Sequence, residues 1–115
     1  LIAPDRTMID ALLDFGRAWR GERPLVVQCW AGVSRSTAAA FIITCEKRPD
    51  LPEQSLAAVL RRVAPHATPN RLMVTHADAL LGRDGRMTAA LRLIGRGADF
   101  TGFSCAELNL AGLER

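Results

Sequence analysis

Between Ser36 and Glu46 the sequence reads Thr37, three alanines, Phe41, Ile42, Ile43, Thr44 and Cys45, which is apolar on almost every side once wound into a helix. Such a helix has no broad polar face to give to water. The spacing therefore predicts a buried helix that begins at Ser36 and is stopped by Pro49. No other segment constrains the fold as strongly.

The flanking segments are amphipathic instead. Met8, Ile9, Leu12, Leu13 and Trp19 recur at helical spacing with Asp10, Asp14, Arg17 and Arg20 between them, predicting a helix over residues 5–20 that Gly21 closes. After Pro52, the positions Leu56, Val59, Leu60 and Val63 mark a second amphipathic helix, ending near Pro65. Thr68 as cap with Pro69 at the first helical position opens another, carried by Leu72, Met73, His76, Ala77, Leu80 and Leu81 to Gly82. Asp84 and Gly85 restart a last one through Leu91 and Ile94. From Gly95 the pattern fades, and residues 96–115 are expected to form a mobile tail.

Residues 24–28 are different: Pro24, Leu25, Val26, Val27 and Gln28 form a short apolar run between turn signals, which suits a buried parallel strand. One parallel strand has nothing to pair with, and the chain opens at Leu1 rather than a methionine. The expectation is thus an α/β domain over residues 1–95, a parallel sheet flanked by helices, with most of its strands upstream and the residues present here mainly helical.

Composition narrows the function classes. At 115 residues, 49% apolar and 23% charged, the chain fits one globular domain. No apolar run approaches the ~20 residues of a membrane span and no basic leader precedes one, so no membrane partner is expected. Net charge is +3 with the basic residues scattered, too little for nucleic acid. Lys47 is the only lysine; the arginine bias suits planar, bidentate recognition of phosphate or carboxylate. Cys29, Cys45 and Cys105 match no zinc spacing and lie away from His66 and His76, so no metal or cofactor is expected and the chain reads as reduced and cytoplasmic. Oligomeric state leaves no trace in the sequence.

The chemistry concentrates in the loop of residues 29–36, strand before and helix after. A loop entering a helix N-terminus turns successive N–H groups inward and makes a concave anion site, here from Trp30, Ala31, Gly32, Val33, Ser34 and Arg35, with Gly32 at the bend. Arg35 in the first helical turn can clamp two oxygens of a tetrahedral oxyanion. Cys29, at the other end of the loop, faces the central atom, and the positive field favours its thiolate. Ser36 is placed to hydrogen-bond the sulfur.

Cys29, Arg35, Ser36 and Gly32 in this order resemble the signature loop of the cysteine-dependent protein tyrosine phosphatases, of dual-specificity type. Pro69 and Asn70 resemble the family's later proline-asparagine motif, whose asparagine braces that loop. The resemblance covers about residues 5–82 and extends to small bacterial tyrosine-phosphatase-like proteins, with the N-terminal part lacking. It implies phosphomonoester hydrolysis by two-step phosphoryl transfer: Cys29 attacks phosphorus, Arg35 and the loop amides hold the equatorial oxygens, and water hydrolyses the phosphocysteine without a metal. A phosphorylated protein or small molecule is the implied substrate.

Two departures qualify the likeness. Gln28 stands where the family usually has a histidine that helps hold the thiolate, so Gln28 supports the loop without adding charge. The family's general acid is an aspartate upstream, and only Asp5, Asp10 and Asp14 precede the cysteine; all three read better as cap or exposed-face residues, Asp5 being the least poor candidate. The alternative is accordingly a catalytically impaired module that binds phosphate or a phosphopeptide. Cys45 reads as core, Cys105 as core or an exposed tail thiol, and His66 and His76 as structural. Trp30 either shapes the pocket mouth or packs on the sheet. Arg61 and Arg62 read as a solvated helix face.

Overall fold

The computed structural model describes residues 5–19 and 34–98. They form five helices: α1 (Arg6–Ala18), α2 (Arg35–Lys47), α3 (Glu53–Val63), α4 (Arg71–Leu81) and α5 (Arg86–Ile94). Each lies within a few residues of a helix the periodicity predicts. The expected α/β architecture is not what they build: among the described residues there is no strand, and these residues form a compact helical assembly. The run over 24–28 that carried the strand expectation lies outside the described residues.

The correction has a physical reason in α2. Its side chains from Ser36 to Cys45 are buried with the exception of Ala40, so it needs apolar cover on nearly all sides. Helices supply that cover: α1, α3 and α4 all pack on α2, while α5 completes the assembly against α3 and α4. One core joins Ile9 and Leu13 of α1, Phe41 and Ile42 of α2, Leu56 and Leu60 of α3, Val74 of α4 and Met87 of α5. Small residues at Ala38, Ala57, Ala77 and Ala90 let the rods approach each other. A run of five residues with two valines is weak evidence for a sheet beside four amphipathic helices whose apolar stripes can cover a fifth.

The helix ends are fixed by caps, most of them local and one from a neighbouring helix. Asp5 caps α1, its carboxylate accepting from the Met8 amide at 2.9 Å. The predicted cap of α4 moves two residues on: Asn70, not Thr68, is its N-cap, and its side-chain oxygen accepts from the Met73 amide at 3.0 Å. Gly82 ends α4 in the left-handed region at φ 66°. The buried Asp78 of α4 then caps α5, accepting from the amides of Gly85 at 2.7 Å and Met87 at 2.8 Å.

Cations sit at the C-termini, as the helix dipole favours. Lys47 Nζ donates to the carbonyls of Arg17, at 3.3 Å, and Trp19, and lies 5.9 Å from the centre of the Trp19 ring. It thereby ties the end of α2 to the end of α1, so the two helices finish on the same side. Arg83 donates to the Cys45 carbonyl at 2.8 Å and pairs with Glu53 at 2.9 Å, both side chains almost fully buried.

Candidate functional site

The start of α2 lies beside the start of α4. Ser34 is the N-cap of α2, and its carbonyl accepts three hydrogen bonds: from the Ala38 amide at 3.0 Å, the Thr37 hydroxyl at 3.1 Å and the Asn70 amide at 3.1 Å. The last of these ties the first residues of α4 to the cap of α2. Two helix N-termini therefore converge, with Arg35 and Arg71 as their first residues.

Their caps differ. Asp5 caps α1, Asn70 caps α4, Asp78 caps α5, and α3 carries Glu53 in its first turn. At α2 the Ser34 side chain makes no capping hydrogen bond, the first turn holds no carboxylate, and its first residue is the half-buried Arg35. A helix start of this kind presents a positive dipole end with a guanidinium beside it, and that combination attracts anions.

Of the residues singled out in the sequence, the structure brings Ser34, Arg35, Ser36 and Asn70 together. Ser36 is buried in the first turn of α2. Asn70 meets the loop end with its backbone amide, while its side chain is committed to α4. Gln28, Cys29, Trp30, Ala31, Gly32 and Val33 lie outside the described residues, as does Cys105.

The upstream aspartates all lie on α1 or at its cap. Asp5 is the α1 cap, Asp10 is exposed, and the exposed Asp14 pairs with Arg17 at 3.0 Å. Cys45 is fully buried in the core; burial pushes its thiol up to about 12, more than the nearby Arg83 guanidinium offsets. His76 is half-buried on α4, and His66 Nδ1 lies 3.2 Å from the Ala98 carbonyl. No cluster of three or more histidine, cysteine, aspartate or glutamate side chains suited to a metal occurs among the described residues.

One reading of the sequence needs revision. Arg62 is exposed, but Arg61 is a structural clamp: Nη1 donates to the carbonyls of Ala64, Pro65 and Ala67, at 3.4, 2.9 and 2.8 Å, and Nη2 to that of Gly95 at 2.7 Å. No local pattern marks it, since its partners come from the loop after α3 and from the segment after α5. A second feature, an open hollow of about 430 Å³ beside Asp50, Leu51, Glu53, Arg83 and Arg86, lies at the far end of α2. Its charges are already paired: Arg83 and Arg86 hold Glu53, and Arg48 holds Asp50.

No protein-family model matches the chain, and neither a curated protein nor a solved structure matches it. No helix among the described residues is long and apolar enough to cross a membrane.

Proposed function

We propose that the start of α2 is a phosphate site and that the protein hydrolyses phosphomonoesters through a phosphocysteine at Cys29, in the manner of the tyrosine and dual-specificity phosphatases whose loop it resembles. The observation that carries the reading is the first turn of α2: no acidic residue in its own sequence, no capping hydrogen bond from the Ser34 side chain, Arg35 at its head, and Asn70 fastened to its cap. In this reaction the Cys29 thiolate attacks phosphorus and the ester P–O bond breaks. Arg35 and the loop amides hold the equatorial oxygens, water then displaces the sulfur, and inorganic phosphate leaves as the thiolate is regenerated. Ser36 steadies the sulfur as the leaving group of that second step. A cytoplasmic setting goes with this chemistry, because the thiol has to stay reduced.

A second reading has its own support: Asp5, the least poor acid candidate, is occupied as the α1 cap, and Gln28 brings no charge to the thiolate. The protein is then a phosphate- or phosphopeptide-binding module. The full chain assayed on p-nitrophenyl phosphate, beside Cys29→Ser and Arg35→Ala, separates the two. The enzyme reading expects turnover that vanishes in Cys29→Ser and falls about 10²- to 10³-fold in Arg35→Ala. Without a positioned acid, alkyl phosphates should turn over more slowly than the aryl ester by a further ~10² to 10⁴. Phosphate binding that depends on Arg35, with no turnover, selects the binding module; absence of both refutes the site.

A further inference from the structure

The segment that follows α5 does not leave the domain at Gly95. It turns back along the loop between α3 and α4: the Ala98 amide donates to the Pro65 carbonyl at 3.0 Å, the Gly97 amide to the Thr68 hydroxyl at 3.0 Å, and Arg61 grips the Gly95 carbonyl. The approach is so close that a Cβ on Gly97 would lie 2.4 Å from the His66 carbonyl carbon and 2.5 Å from the Ala67 oxygen. Backbone faces backbone there, and only glycine fits.

The same loop ends two residues later in Asn70, whose amide holds the Ser34 carbonyl. Gly97, Thr68, Asn70 and Ser34 thus form an unbroken physical chain from the end of the helical assembly to the cap of α2. We propose that residues 95–98 are a strap that holds the α3–α4 loop in the conformation seating Asn70 on Ser34, so that opening the strap loosens the first turn of α2 while the helical core stays formed. Arg61 and Gly97 are positioning residues in this device. The coupling stands on hydrogen bonds and close packing; it rests on the phosphate-site reading only for its consequence, that an anion bound at α2 tightens the strap by the same factor that the strap tightens the anion.

Hydrogen exchange on the full chain, read segment by segment, tests it. Gly97→Ala should speed exchange of the Ala38, Asn70, Met73 and Val74 amides, whose hydrogen bonds hold the two helix starts, at least about tenfold while residues 87–91 of α5 keep their protection, and Arg61→Met should do the same. Thr68→Val, which removes only the acceptor for the Gly97 amide, should give a smaller effect in the same places and covers the case in which Gly97→Ala does not fold. Faster exchange confined to residues 64–68 and 95–98, or spread evenly over all helices, overturns the coupling. Inorganic phosphate added to the unaltered protein should slow exchange at residues 95–98. If phosphate protects nothing while the variants still loosen α2, the phosphate site is wrong and the strap is right.

Discussion

At Cys45 the chemistry of a thiol is set by the absence of water around it. Burial raises it from 9.0 to about 12, so the folded state keeps a proton that the unfolded chain releases. The folded pKa is the higher one; stability from this group is complete below about pH 9 and falls as pH climbs toward 12, by up to ~1.4 kcal/mol per unit. Melting temperatures measured between pH 9 and 11 should fall more steeply for the natural protein than for Cys45→Ala, and alkylation at pH 8 should spare Cys45 until denaturant is added. Glu53 has the opposite sign. Burial pushes its carboxyl up, but its own backbone N–H and the Arg83 and Arg86 guanidinium groups outweigh that and hold it below the ordinary 4.5. The stability it lends is present above that value and is lost as pH falls through the folded pKa. Glu53→Ala strands the buried Arg83 and should cost about 3–5 kcal/mol in urea unfolding. Adding Arg83→Met should cost much less than the sum of the two single changes, because the pair acts as a unit. Burial of Cys45 was legible from its place on an apolar helix. The Glu53 pair was not, since its partner lies 30 residues away and no local pattern joins them.

Among the elements, α1 and α2 meet at Gly16, where a Cβ would sit 3.3 Å from Ile43 Cγ1. Gly16→Ala sets a gain of about 1 kcal/mol in helix propensity against that contact and should come out within about 1 kcal/mol of neutral. Gly16→Val adds two methyl groups beyond that Cβ to a filled space, and a loss of about 1–3 kcal/mol by denaturant titration is expected. The helices themselves were readable because a 3.6-residue stripe is written in consecutive sequence. Their caps were only partly so. Asp5 caps locally and could be read, whereas α5 takes its cap from Asp78, on another helix and seven residues before Gly85. Arg61 was misread for the same reason: two adjacent arginines look like a wet helix face until the loop and the segment after α5 bring four carbonyls to one of them.

For the molecule as a whole, the sequence foretold which segments are helical but not how they are assembled. The strand expectation arose from five residues; the helix-on-helix packing of the described residues arises from the need to cover α2, a demand visible in the run from Ala38 to Cys45 that points to no particular partner. That Arg35, Ser36 and Asn70 stand at helix starts was legible, because helix starts and prolines are local signals. The contact through the Ser34 carbonyl was not, since backbone atoms carry no residue identity. One consequence follows from the tether between α1 and α2. Lys47, the chain's single lysine, has its ammonium group held by the carbonyls of Arg17 and Trp19 at the end of α1 and set against the Trp19 ring. A protease that cuts only after lysine therefore has one bond to attack, and it can do so only when α2 lets go of α1. The native chain carries its own clock for that motion: digestion should be slow, give two fragments, and accelerate in Gly16→Val as the two helices part more often.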